Sequence, residues 1–131
     1  MRLVIDASAC LEICLTESGF DLFAEHRLVA PPLLRSEVLS ALRSLDWRRV
    51  VSHELILGAL RRVSDLPIEF ATSTDHVNRA WAIAAQLGWA KTYDAEYLAL
   101  AQDRNLPLLT LDGRLQRGAA GIVRTLTPTE V

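Results

Sequence analysis

Asp6, Glu37, Asp94 and Asp112 lie in four separate segments of this 131-residue chain, and an alternating strand and helix pattern would carry all four to one edge. Asp6 closes the apolar run Leu3-Val4-Ile5, Asp112 closes Leu108-Leu109-Thr110-Leu111, and Glu37 and Asp94 fall on amphipathic stretches. A carboxylate directly after a buried apolar run lies at the C-terminal lip of a strand, where open parallel sheets keep their ligand crevice. Carboxylates gathered there repel, and without compensation at least one stays protonated near neutral pH. A hard divalent cation removes the conflict, because Mg²⁺ and Mn²⁺ take carboxylate and water oxygens. Such ions acidify water and neutralise phosphoryl charge, singly or as a pair roughly 4 Å apart. Hydrolysis of a phosphodiester is the reaction these parts fit, and no His or Cys set accompanies the acids to favour zinc. For either aspartate alone, a turn or helix-cap role is the simpler reading.

The elements that must position these acids follow from periodicity. Leu3–Ile5 reads as a buried strand and Ser8–Thr16 as a helix with Leu11, Cys14 and Leu15 on one stripe. Leu28–Ala30 is a second strand, and Pro31-Pro32 opens a helix with Leu34, Val38, Leu42 and Leu45 at helical spacing, Glu37 beside the stripe. A helix over about Ser52–Ser64 and a strand over Pro67–Phe70 come next. Thr74 is expected to cap a helix whose Val77, Trp81, Ala84, Ala85 and Leu87 face inward and which stops at Gly88. Asp94–Asn105 forms a helix, and Pro107–Leu111 and Gly121–Leu126 form the last strands. The pattern predicts an α/β fold with a central parallel sheet of four to five strands and helices on both faces.

Residues 1–131 are expected to make a single domain. Half are hydrophobic, without Pro, Ser or Gly tracts, which excludes a disordered chain. No apolar run is long enough to span a bilayer and Asp6 interrupts the first one, so a cytoplasmic protein without a membrane partner is expected. Cys10 and Cys14 lack redox or zinc spacing and read as small core side chains. The formal charge of −2 does not decide the substrate, because basic residues can gather on one face. Dinucleotide-binding and P-loop glycine patterns are missing. An aspartyl-phosphate hydrolase would be expected to carry a second Asp two residues after Asp6, where this chain has Ser8.

Four motifs stand in order: Val4-Ile5-Asp6-Ala7-Ser8, Ser36 to Leu42 around Glu37, Thr92-Tyr93-Asp94 through Ala101, and Leu106 to Asp112. With them the chain resembles the PIN-domain ribonucleases, and among these the VapC-type toxins of toxin–antitoxin pairs, over nearly its whole length. The resemblance implies a PIN-like fold and an endoribonuclease that uses Mg²⁺ or Mn²⁺ to cut RNA. It assigns Asp6, Glu37, Asp94 and Asp112 to a metal-binding, catalytic quartet, with Ser8 and Thr110 as supporting hydroxyls that could equally be helix caps. It also implies a cognate antitoxin and a homodimer. Leu-rich helices such as Leu34–Leu45 and Leu55–Leu60 could offer the antitoxin an apolar groove.

Lys91 precedes a helix start and Arg114 and Arg117 follow Asp112, so all three are candidates for RNA contact, against solvated side chains as the bland reading. Tyr97 is expected in the core, and Trp47, Trp81 and Trp89 in packing or a subunit interface. The alternative reading is a non-catalytic PIN-like module that binds RNA or protein. An intact quartet argues against it, because nothing else explains keeping four mutually repelling acids. A flap-type DNA nuclease would need insertions for which this chain is too short.

Overall fold

The computed structural model describes all 131 residues. The chain runs β1 (Arg2–Ile5), α1 (Ala7–Cys14), β2 (Arg27–Ala30), α2 (Leu33–Trp47), α3 (His53–Ser64), β3 (Ile68–Phe70), α4 (His76–Leu87), α5 (Tyr93–Arg104), β4 (Leu108–Leu109), α6 (Gly113–Ala119) and β5 (Thr125–Leu126). Short 3₁₀ turns occupy Gly19–Phe23 and Pro128–Glu130. The five strands form one sheet in the order β3-β2-β1-β4-β5, every pairing parallel. In register, Val4 stands between Val29 and Leu108, and Ile5 is aligned with Leu109.

Central strands covered on both faces read as continuous apolar runs, and Leu3, Val4, Ile5, Val29 and Ala30 are fully buried. With right-handed crossovers, β1 to β2 and β2 to β3 step one way along the sheet, so α1, α2 and α3 share a face. The chain then returns across β2 and β1 to β4 and on to β5, which sends α4, α5 and α6 to the other face. The reversal makes the gap between β1 and β4 a topological switch point, where parallel sheets open a crevice at the strand ends. Asp6 immediately follows β1, and Asp112 lies three residues beyond β4. The 31 buried apolar residues form one connected cluster, Cys10 and Cys14 among them.

Several local expectations change. Thr74 does not cap α4: its N–H donates to Asp103 Oδ2 at 2.8 Å, Asp75 enters the left-handed region at φ 51°, and the helix starts at His76. The inward face of α4 is rotated: Ala84 is buried and Leu87 packs on the core as expected, but Ala80 and Ile83 join them while Val77 (77 % exposed), Trp81 (70 %) and Ala85 turn to solvent. Small side chains let α4 approach α5 closely, which outweighs burying the bulkier stripe.

β4 ends at Leu109 rather than Leu111, because the N–H groups of Leu111 and Asp112 go to side-chain hydroxyls instead of a neighbouring strand. The segment 113–119, unassigned by periodicity, is helical, and the chain turns at Gly121 (φ 86°) before β5 starts at Thr125. Arg62 Nε on α3 donates to the Cys14 carbonyl at 2.6 Å, a cation at the negative end of α1.

Candidate active site

Asp6 is the hub of the β1–β4 switch point. Its Oδ1 accepts the Ala9 N–H at 3.0 Å, which caps α1, and the Ser8 hydroxyl at 2.7 Å; its Oδ2 accepts the Thr110 hydroxyl at 2.5 Å. The two hydroxyls also serve as acceptors, Ser8 Oγ for the Leu111 N–H and Thr110 Oγ1 for the Asp112 N–H, both at 3.0 Å. Neither is a helix cap: together they stitch the end of β1 to the segment after β4. Asp112 itself caps α6, its Oδ1 accepting the N–H groups of Arg114 at 2.9 Å and Leu115 at 3.2 Å. The cap and acid readings of the two aspartates are therefore not alternatives, since each cap fixes a carboxylate at the crevice.

Glu37 comes from α2 and Asp94 from the first turn of α5. Tyr97 lies in the core as expected, and its hydroxyl donates to Glu37 Oε1 at 2.5 Å, across the interval between the two helices. Arg114 reaches back from α6 to Asp94 Oδ2 at 2.9 Å. Glu96 sits near enough to raise the Glu37 carboxyl and is itself held by His76 Nε2 at 2.7 Å. His76 Nδ1 meets Ser73 Oγ at 3.2 Å, but Ser73 is only 5 % exposed, so this chain of contacts clamps α4 to α5 and offers no nucleophile.

Electrostatics link the four acids. Burial pushes the Asp6 carboxyl above its ordinary range; hydrogen bonds from Ala9, Thr110 and Ser8 pull it back, and the Asp112 charge pushes it up again. Burial raises Glu37 most; the Tyr97 hydrogen bond counters this, and the charges of Asp94, Asp6 and Glu96 add to the rise. Asp94 is raised by burial and by Asp112 despite Arg114. No three His, Cys, Asp or Glu side chains stand in a geometry that could hold an ion.

A pH dependence follows. A carboxyl raised on folding holds its proton more tightly in the folded state, so stability falls as pH climbs from the ordinary carboxyl range through the raised values. Without a divalent ion, the melting temperature should therefore rise as pH is lowered from about 7 toward about 5. Asp103, lowered by the Thr74 N–H, and Glu130, lowered by Thr127, oppose this only when pH approaches their ordinary values. Saturating Mn²⁺ should flatten the trend, and thermal unfolding across pH with and without Mn²⁺ checks it.

Beside the acids opens a crevice of about 500 Å³, lined in part by Glu37, Trp89, Lys91, Tyr93, Asp94 and Arg114. Lys91 and Arg114 thus stand together at the site, whereas Arg117, exposed on α6, is not among the lining residues. Gly88 ends α4 in the left-handed region (φ 69°) and turns the chain into Trp89. Sequence reasoning missed Trp89 and Tyr93 as crevice residues and the Tyr97 hydroxyl as a support for Glu37. The spacing of Tyr97 three residues after Asp94 was the available signal. A larger hollow, about 690 Å³, lies around Arg43, Asp46, Trp47 and His53 and contains none of the four acids.

Residues 3–121 match the family model of the PIN domain. Ribonuclease VapC9 of Mycobacterium tuberculosis is 35 % identical over 128 residues, covering 96 % of this chain and 98 % of that protein. Ribonuclease VapC12 of Mycobacterium tuberculosis is 31 % identical over 118 residues, covering 86 % and 88 %. Among solved structures, PAE2754 from Pyrobaculum aerophilum superposes with a TM-score of 0.75 at 21 % identity, covering 98 % of this chain and 90 % of that one, a likeness of fold.

Proposed function

The chain belongs to the PIN domain family, and from that premise we propose that it is a metal-dependent endoribonuclease and the toxin of a toxin–antitoxin pair, acting as a single domain in the cytoplasm. One observation carries the site assignment: Asp6, Glu37, Asp94 and Asp112 act electrostatically on one another at the β1–β4 switch point, and only Asp94 has a cationic side chain paired to it. Relatives named ribonuclease VapC, 31–35 % identical along most of the chain, support RNA as substrate and an antitoxin as partner. No helix is long and apolar enough to cross a membrane.

The chemistry of the donor set suits a hard divalent ion, although the side chains as they stand are not drawn together around one. The set consists of carboxylate and hydroxyl oxygens, three of the carboxyls are raised by burial first and by the charge of neighbouring acids second, and one oxygen each of Glu37, Asp94 and Asp112 has no protein hydrogen bond. Asp6, Glu37, Asp94 and Asp112 would hold Mg²⁺ or Mn²⁺, which when bound would supply charge neutralisation for phosphoryl oxygens and a more acidic water. Asp6 is oriented by three donors and cannot swing away. Tyr97 holds Glu37 with one oxygen toward the crevice, and its hydrogen bond keeps that carboxyl readier to lose its proton. Lys91 and Arg114 offer charge to the phosphate backbone.

Two surface features favour the partners. A groove of about 520 Å³ along α2, lined by Leu33, Ser40, Ala41 and Ser44, runs to Glu37 and Tyr93, and Leu39, Leu55 and Leu57 are exposed on α2 and α3. An antitoxin helix seated there could send an Arg or Lys toward the acids. Val77 and Trp81, exposed on α4, suit a second copy of the chain in a homodimer.

The test is cleavage of a single-stranded RNA by purified protein. We expect internal cuts with Mg²⁺ or Mn²⁺ and none with excess chelator. Tight RNA binding without cuts under any divalent ion would instead favour a binding module.

A further inference from the structure

Resting on the ribonuclease reading, we propose that the crevice of about 500 Å³ beside the quartet seats one unstacked nucleotide of single-stranded RNA, its base against Trp89 and Tyr93 and its phosphates toward Lys91 and Arg114. The volume falls within the roughly 300–1,000 Å³ usual for small-ligand sites. Its walls combine the two elements that bind single strands, aromatic faces for bases and cations for the backbone.

Each wall has a local cause. Tyr93 opens α5 with 55 % of its surface exposed, beside Glu37 and Asp94, so its ring is open to a ligand. Trp89 is half-buried, and the molecule makes room for its ring on α6: a Cβ at Gly118 would stand 2.6 Å from Trp89 Cζ2. Glycine at 118 therefore sets how far the indole leans over α6, and with it the shape of the crevice. Lys91 is exposed and takes part in none of the molecule's ion pairs. Arg114, 66 % exposed, touches Asp94 at 2.9 Å, so a phosphate bound by this guanidinium lies next to the acids. A nucleotide seated here places the neighbouring phosphodiester at the quartet. Paired RNA keeps its bases stacked and cannot reach the walls.

The experiment measures binding of a labelled single-stranded oligoribonucleotide, and of the same strand annealed to its complement, to Asp6→Asn protein with Mn²⁺. Tyr93→Ala, Lys91→Ala and Gly118→Ala are then added singly to that background. Tyr93→Ala should raise Kd for the single strand about 5- to 150-fold, the range for losing one base–aromatic stack. Lys91→Ala should lower the slope of log Kd against log salt by about 0.7, the signature of one lost contact to a single-stranded phosphate. Gly118→Ala should weaken binding by displacing Trp89, and the duplex should bind more weakly than the single strand throughout. Unchanged Kd and salt slope in the Tyr93 and Lys91 variants, or equal affinity for the duplex, would overturn the nucleotide seat. If binding depends on Tyr93 and Lys91 but wild-type protein cuts no RNA with any divalent ion, the seat stands and the ribonuclease reading falls.

Discussion

Asp6→Asn is expected to reduce RNA cleavage by about 10²- to 10⁴-fold while shifting the melting temperature by only a few degrees. The first figure follows because a catalytic metal is worth several kcal/mol of transition-state stabilisation, at roughly 1.4 kcal/mol per tenfold in rate. The second follows from what the side chain does in the fold. Asn keeps an oxygen for the Ala9 N–H and the Ser8 hydroxyl, so the cap on α1 survives, and a charge that burial disfavours is removed. Asp6→Ala separates the two roles. It should be equally inactive, but it also loses the cap and strands the buried Thr110 hydroxyl, at a cost of about 1–3 kcal/mol. Cleavage assays and thermal melts on both variants check the pair of expectations; retained cleavage in Asp6→Asn would remove Asp6 from the site.

Tyr97→Phe is expected to lower cleavage about 10- to 100-fold, the usual scale for losing a partner that orients a metal ligand. The ring stays in the core, so packing is kept and only the hydroxyl on Glu37 Oε1 is lost. That hydrogen bond is the one contact pulling the Glu37 carboxyl down, against burial and the charges of Asp94, Asp6 and Glu96. Its removal lets the carboxyl rise further, so Glu37 takes up a proton at higher pH. The acid limb of the pH–rate profile should therefore move to higher pH, and the loss should be larger at pH 6 than at pH 8 by this reasoning. An unmoved profile would mean that Tyr97 only fills space.

The acids were legible because strand ends announce themselves: an apolar run followed by Asp places a carboxylate at a sheet edge whatever the rest of the chain does. Glu37 and Asp94 were legible through amphipathic helices that follow loops. The α4 face was legible only in part: Ala84 is buried as its spacing implies, but Val77 and Trp81 carry more hydrophobicity than Ala80, and only the close approach of α5 decides for the smaller residue. α6 escaped notice because Gly113 and Gly118 depress helix propensity, and its start depends on an Asp112 cap whose carboxylate had already been assigned to chemistry. The shortness of β4 was also hidden, because the Leu111 N–H goes to the hydroxyl of Ser8, far away in the sequence, while the Asp112 N–H turns back to its near neighbour Thr110. Trp89 owes its place to Gly118, a contact across 29 positions that no periodicity encodes.

The proposed site is a set of four acids at the β1–β4 switch point that would jointly hold the ion needed for RNA cleavage. Its most direct test is a calorimetric titration of Mn²⁺ into wild type and into Asp6→Asn, Glu37→Gln, Asp94→Asn and Asp112→Asn, with RNA cleavage followed in the same samples. Wild type should bind Mn²⁺ saturably with cleavage that rises with occupancy, and all four folded variants should lose binding and cleavage together. Cleavage by wild type in excess chelator, or folded variants that bind Mn²⁺ and cut RNA as wild type does, would contradict the assignment.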